Sequence, residues 1–133
     1  MLFFSAFRYG NLQPAFPEIA GKTERKLSTL QADEQVLLLT GIASPAPIMQ
    51  ELEKYTSHID LLAFDDHHNF SQRDIQSIRE RFKKLKGEQR LIITTEKDAT
   101  RLVHHPVMDR ELKKYIYILP IEVEILQNQQ DIF

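Results

Sequence analysis

Apolar residues occur in this chain in two rhythms, short unbroken runs and stretches that repeat every three to four positions, and the two alternate from residue 35 onward. Val36-Leu37-Leu38-Leu39-Thr40 is unbroken and ends at Gly41. It predicts a strand buried on both faces. Ser44 follows as a helix cap, with Pro45 at the first helical position, where a missing N–H costs nothing. Ile48, Leu52 and Tyr55 share one helical face. Ile59-Asp60-Leu61-Leu62-Ala63-Phe64 predicts a second buried strand. A second helix starts at Ser71, with Phe70 and Ile75 placed as a hydrophobic staple and Asp74 near the positive end of the helix dipole. Ile75, Ile78, Phe82 and Leu85 form its buried stripe, and Gly87 ends it. Leu91-Ile92-Ile93-Thr94-Thr95 is a third strand. Short helices are expected over 98–104, stopped before Pro106, and over about 108–114. Tyr115-Ile116-Tyr117-Ile118-Leu119 is a fourth strand, and Ile121, Val123 and Ile125 alternate with Glu122 and Glu124 as a strand with one wet face. Residues 127–130 form a polar tail.

The first thirty residues break this regularity. Leu2-Phe3-Phe4-Ser5-Ala6-Phe7 predicts a strand, closed by a Tyr9-Gly10-Asn11 turn. A strand this apolar needs partners on both faces, which suggests an internal piece of a larger protein. Residues 12–30 show no period and are expected to connect, with a short helix near 22–30. Three rounds of strand then helix imply a parallel sheet with right-handed crossovers and helices on its faces. The expected fold is a small Rossmann-like three-layer α/β domain over 31–133 with a mostly parallel sheet. Residues 1–30 would be a linker strand and connecting segment, the first strand lying outside the main sheet.

Composition narrows the function. The chain has 133 residues, a formal charge of -2 and no cysteine. That balance makes no case for a nucleic-acid partner. Arg81, Lys83, Lys84 and Lys86 close the second long helix, where cations suit the dipole. Disulfides and thiolate metal sites are excluded, and a reducing compartment is expected. No apolar run approaches ~20 residues, so no membrane-spanning helix is expected. Neither G-x-x-x-x-G-K-[ST] nor G-x-G-x-x-G occurs, so the chain holds no nucleotide cradle of its own.

In a parallel sheet the strand ends open on one edge, where ligands bind. That edge would carry Thr40 to Ser44, then Asp65-Asp66-His67-His68-Asn69, then Thr94-Thr95-Glu96-Lys97-Asp98. The 41–45 stretch serves equally well as the start of a helix. Glu96 and Asp98 could cap the next helix with Lys97 paired locally, or these groups could organise the neighbouring loop. The 65–69 run exceeds what a turn requires. A carboxylate beside a histidine can fix its tautomer and raise its basicity, as in general-base pairs. His58, His104 and His105 are expected to be structural. Asp66-His67-His68 spells the triplet of a metal-dependent phosphoesterase family, but that family's preceding Asp-x-Asp element is missing. Asp65, Asp66, Thr95 and Lys97 are residue types of a phospho-accepting signalling domain, although there Thr and Lys stand a strand–helix unit apart rather than two residues.

A third reading covers nearly the whole chain. Leu38-Leu39-Thr40-Gly41-Ile42-Ala43-Ser44-Pro45, Phe64-Asp65-Asp66-His67-His68-Asn69-Phe70, Ile93-Thr94-Thr95-Glu96-Lys97-Asp98-Ala99-Thr100-Arg101-Leu102 and Leu119-Pro120-Ile121-Glu122-Val123 occur in that order. Together they resemble the C-terminal portion of the tetraacyldisaccharide 4'-kinases, the lipid A kinases of Gram-negative bacteria. Residues 3–10 resemble the strand linker joining that family's two domains. Asp65 departs from the family pattern, which has Pro or a small residue there, while the Asp66-His67 pair is kept. The resemblance implies transfer of the ATP γ-phosphoryl group to the 4'-hydroxyl of a tetraacyldisaccharide 1-phosphate at the cytoplasmic face of the inner membrane. ATP and Mg²⁺ would be bound mainly by an N-terminal P-loop domain that this chain lacks, so no residue here is assigned to a metal or cofactor. The partners implied are that domain and the lipid substrate. His67 would orient or help the catalytic base, Asp66 would support His67, and Thr95, Glu96, Lys97 and Asp98 would shape the rim between domains. The chain alone would be soluble and inactive.

Overall fold

The structure is a computed structural model that describes residues 4–20, 24–41, 45–65, 69–87, 89–105 and 110–126. In order the elements are β1 (Phe4–Tyr9), β2 (Gln13–Pro14), α1 (Pro17–Ala20), a 3-10 turn (Leu27–Thr29), β3 (Gln35–Thr40), α2 (Ala46–Glu53), β4 (His58–Ala63), α3 (Gln72–Lys84), β5 (Arg90–Thr95), α4 (Glu96–Val103), α5 (Arg110–Lys113), β6 (Ile116–Leu119) and β7 (Ile121–Leu126).

The main sheet runs β2-β6-β5-β3-β4. Its last four strands are parallel, with Leu38 opposite both Leu61 and Ile93, and β2 is antiparallel to β6. The two central strands are the continuous apolar runs 35–40 and 90–95, buried almost throughout because both their faces are covered. Alternation then assigns their side chains to two cores. Leu37, Leu39 and Ile92 pack with Ile75, Ile78 and Phe82 of α3, with Leu102 and with Leu112. Val36, Leu38, Leu91 and Ile93 pack on the other face with Ile48 and Leu52 of α2 and with Leu12, Leu27 and Leu30. The α/β domain with a mostly parallel sheet is therefore as the pattern predicts, and its three layers are helices, sheet, helix and turn.

Helix α3 follows its sequence closely. Ser71 Oγ accepts from the Asp74 N–H at 3.1 Å, and the Asp74 carboxylate accepts from the Ser71 N–H at 2.8 Å, closing a reciprocal capping box. Gly87, just past its end, has φ of 92°, a conformation that favours glycine.

Several expectations need correction. The strand expected over 2–7 lies outside the main sheet, as expected, but its described part runs from Phe4 to Tyr9, and it pairs antiparallel with β7, Phe4 opposite Leu126 and Tyr9 opposite Ile121. The segment expected merely to connect is built into the domain: Leu12, Phe16, Leu27 and Leu30 are buried. It contains β2, which at two residues leaves no period to detect. Pro14, lacking an N–H, is tolerated there because β2 is an edge. Where a helix was expected near 22–30, the described residues 24–30 hold only the turn Leu27–Thr29, and α1 forms instead from Pro17, a residue preorganised for a first turn. Strand β4 was expected to be buried, but it is an edge strand with exposed to half-buried residues. Asp60 within it takes a two-pronged bond from Arg81 of α3, at 2.7 and 3.0 Å, on the open side. Helix α2 begins at Ala46, one residue late, and Ser44 lies outside the described residues. Helix α4 begins two residues early, at Glu96, because Thr95 caps it.

Candidate functional site at the carboxyl edge of the sheet

Parallel pairing brings the ends of β3, β4 and β5 together with β3 in the middle. The Phe64 N–H extends the β3–β4 pairing by donating to the Thr40 carbonyl at 2.7 Å. On the other side the β3–β5 ladder ends at Leu39 opposite Thr94, because β5 turns into α4. The Gly41 N–H therefore lacks a strand carbonyl. It donates instead to Asp98 Oδ2 at 2.9 Å, across 57 residues of sequence.

Asp98 is fully buried. Thr95 Oγ1 donates to the same Oδ2 at 2.7 Å and accepts from the Asp98 N–H at 3.1 Å, which caps α4. Among the described residues Asp98 Oδ1 has no hydrogen-bond partner, and neither do the buried hydroxyls of Thr40 and Thr94. Gly41 is required here for space. A Cβ at this position would lie 2.8 Å from Asp98 Oδ1 and 3.2 Å from the Asp65 carbonyl oxygen.

The four residues expected to shape the rim thus divide. Thr95 and Asp98 point into the domain, while Glu96 and Lys97 are exposed on the first turn of α4. Glu96, with Asp98, puts negative charge at the positive end of the helix dipole. An open depression of about 220 Å³ beside them is lined by Thr95, Glu96, Lys97, Leu119 and Ile121.

Asp66, His67 and His68 lie outside the described residues. Phe64 and Phe70 meet edge to face, with ring centroids 5.1 Å apart and planes at 79°, which packs residue 64 against residue 70. Phe70 and Ile75, the expected staple, are buried in the same core. His58 starts β4 at the opposite edge of the sheet, and His104 lines a separate depression with Glu96, Ala99, Thr100, Val103 and Ile118.

Sequence reasoning placed Asp98 on this rim and missed its reach to Gly41. Glu96 and Asp98 were expected to cap the next helix, and nothing local signalled the strand that the Asp98 carboxylate would meet. Among the described residues no group of three or more His, Asp or Glu could hold a metal ion. The one buried carboxylate oxygen left unpartnered among them is Asp98 Oδ1, and the Gly41 amide already has an acceptor. Among the described residues no helix is long and apolar enough to cross a membrane.

Residues 6–133 match the family model described as tetraacyldisaccharide-1-P 4'-kinase. A protein named tetraacyldisaccharide 4'-kinase from Bacteroides fragilis (strain YCH46) is 67% identical over 132 residues, covering 99% of this chain and 35% of the relative. Its namesake from Bacteroides thetaiotaomicron is 62% identical over 136 residues, covering 99% and 36%. One from Porphyromonas gingivalis is 31% identical over 137 residues with the same coverage. The chain thus spans 35–36% of the length of these curated relatives. No solved structure matches it. The match leaves the phosphoesterase and signalling-domain readings without support.

Proposed function

The chain belongs to the tetraacyldisaccharide-1-P 4'-kinase family, and we propose on that premise that it is the C-terminal portion of an enzyme that moves the ATP γ-phosphoryl group to the 4'-hydroxyl of a tetraacyldisaccharide 1-phosphate. The remaining two-thirds would bind ATP and Mg²⁺ on a P-loop and supply the catalytic base. The enzyme would act peripherally at the cytoplasmic face of the inner membrane, where its lipid substrate lies. The observation that carries this reading is the rim itself. Three parallel strand ends converge there, and the sequence that follows β4 carries an acid–histidine pair, in a chain that spans 35–36% of its relatives' length. Half a site is what one domain of a two-domain kinase would present.

Phosphoryl transfer depends on positioning and charge stabilisation more than on covalent help from the protein. This chain's share is to close one wall of the site and to present His67 to the base, with Asp66 holding the imidazole. Glu96 and Lys97 form the exposed part of the interdomain rim, and Thr95 and Asp98 support it from beneath. The paired ribbon of β1 and β7 is the linker toward the other domain.

In the full-length kinase, His67→Ala is expected to lower kcat by about 10²–10⁴. Steady-state phosphorylation of the lipid acceptor measures this, and a near-wild-type rate would remove His67 from the mechanism. The 133-residue chain by itself is expected to transfer no phosphate, and measurable kinase activity from it would sink the two-domain reading.

A further inference from the structure

We propose that the amino edge of the sheet carries a binding site for a phosphate group, free or esterified, built around the Arg90 guanidinium with Lys83 lining the same cavity. The site lies at the start of β5, on the edge opposite the rim, and does not rest on the kinase reading above.

A small cavity of about 50 Å³ opens between α3, β5 and α5. Phe82, Leu112 and Tyr115 give it an apolar floor, and Arg79, Lys83, Arg90 and Glu111 complete its lining. Three cations against one acid leave that lining net positive, and apolar walls focus the field of such a cleft on an anion. Arg90 is the first residue of β5 and is half-buried. Its guanidinium carbon lies 4.7 Å from the centroid of the Phe82 ring, which in turn packs on Tyr115 with ring centroids 5.0 Å apart. Arg90 Nη1 donates to the Phe82 and Leu85 carbonyls at 3.2 and 3.4 Å. Those carbonyls belong to the end of α3. The bonds therefore fix the guanidinium and also cover the negative end of the helix dipole, which would otherwise repel an anion.

Capping accounts for Nη1 alone. Among the described residues Nε and Nη2 of Arg90 make no hydrogen bond, and neither Arg90 nor Lys83 has an ion-pair partner. Arg25 and Arg81, also half-buried, each close on a carboxylate, Arg25 on Glu34 and Arg81 on Asp60, the latter through Nε and Nη2. Arg90 holds the same pair of donors with no carboxylate against it. A planar fork of two N–H groups fits two oxygens of a phosphate, and Lys83 adds the second charge that a dianion calls for. Size then selects the ligand. The cavity exceeds the ~10–15 Å³ that one water needs and falls well below the ~300–1,000 Å³ of an ordinary small-molecule pocket. That range suits a single tetrahedral oxyanion and is too small for a nucleotide. An open depression of about 330 Å³ shares Arg90 and Tyr115 with the cavity and is lined also by Gln31, Gln89 and Lys114. It leaves room for the body of an esterified phosphate.

Calorimetric titration of the full-length enzyme with inorganic phosphate, at an ionic strength held constant with chloride, tests the site. Lys83 is exposed, so Lys83→Gln should leave the fold intact while weakening phosphate binding about tenfold, the usual effect of one charge-assisted hydrogen bond. Arg90→Lys keeps the positive charge and removes the fork, and should weaken binding at least as much. Phosphate bound elsewhere on the enzyme is common to all these proteins and cancels in the comparison. Lys86→Gln removes an exposed cation outside the cavity lining and should change nothing. Equal phosphate affinity in wild type, Lys83→Gln and Arg90→Lys overturns the proposal. A loss in Lys86→Gln as large as in Lys83→Gln reduces the effect to general surface charge and overturns it too. Should Arg90→Lys fail to fold, Lys83→Gln against Lys86→Gln decides alone. Sedimentation with phosphatidylcholine vesicles, with and without phosphatidic acid, whose headgroup is a phosphate monoester, then identifies the source of the phosphate. Weaker binding of Lys83→Gln and Arg90→Lys to the phosphatidic acid vesicles upholds the site with a lipid headgroup as its ligand. Unchanged vesicle binding beside a weakened phosphate titration upholds it with a soluble phosphate. Neither readout depends on whether the enzyme transfers phosphate.

Discussion

Glu34 and Asp98 are both buried carboxylates, at opposite edges of one sheet. Glu34 precedes β3 and is 3% exposed, whereas Asp98 follows β5 and is 0% exposed. Arg25 grips Glu34 with two bonds, at 2.7 and 2.6 Å, and the Gln31 N–H adds a third at 3.2 Å. Arg25 is itself held by the hydroxyl and carbonyl of Thr29. Its pKa is raised, chiefly by the hydrogen bond to Glu34, so the pair stays charged. Both Glu34 oxygens are satisfied and the charge is matched. Asp98 has no ion-pair partner among the described residues, takes two neutral donors on one oxygen, and leaves the other bare. Burial alone does not distinguish a structural acid from a functional one. Complete pairing at the amino edge makes Glu34 a clasp for the 24–34 segment, whereas pairing at the carboxyl edge is left incomplete.

That contrast can be broken by experiment. Glu34→Ala should destabilise the domain by about 2–3 kcal/mol, somewhat under the ~3–5 kcal/mol of a fully buried pair, because Arg25 keeps 25% of its side-chain surface in water. The activity of the folded full-length enzyme should not change. Denaturant unfolding with parallel kinetics checks both halves, and a kcat effect at Glu34 would erase the distinction between the edges. Gly41→Ala should cost about 1–3 kcal/mol through overpacking, since the Asp98 carboxylate and the Asp65 backbone have little room to yield. An unchanged melting midpoint would show that the contact is looser than the geometry indicates. Ser71→Ala should cost about 1 kcal/mol by opening the α3 capping box, with no preferential effect on catalysis. The smallest effect is expected from Arg81→Ala. The exposed pair with Asp60 is worth at most about 1 kcal/mol, and its loss should shrink further in high salt.

The features legible in the sequence were those set over a few residues. The runs at 36–40 and 91–95 can satisfy their burial only inside a covered sheet. The spacing of Ser71, Asp74, Ile75, Ile78 and Phe82 could build only an amphipathic, capped helix. The same local order of motifs carried the family resemblance. Strand order was decided elsewhere. Ile59 to Phe64 is as apolar as its neighbours, yet β4 is an edge because no later strand pairs beyond it. Tertiary packing recruited Leu12 and Leu27 to the core and gave β1 its partner at the far end of the described chain. The same holds for Asp98. Its distance from Thr95 is a property of one helical turn and could be read directly. Its bond to Gly41 exists only because β3 and β5 lie side by side and β5 turns away first, a juxtaposition that no local pattern encodes.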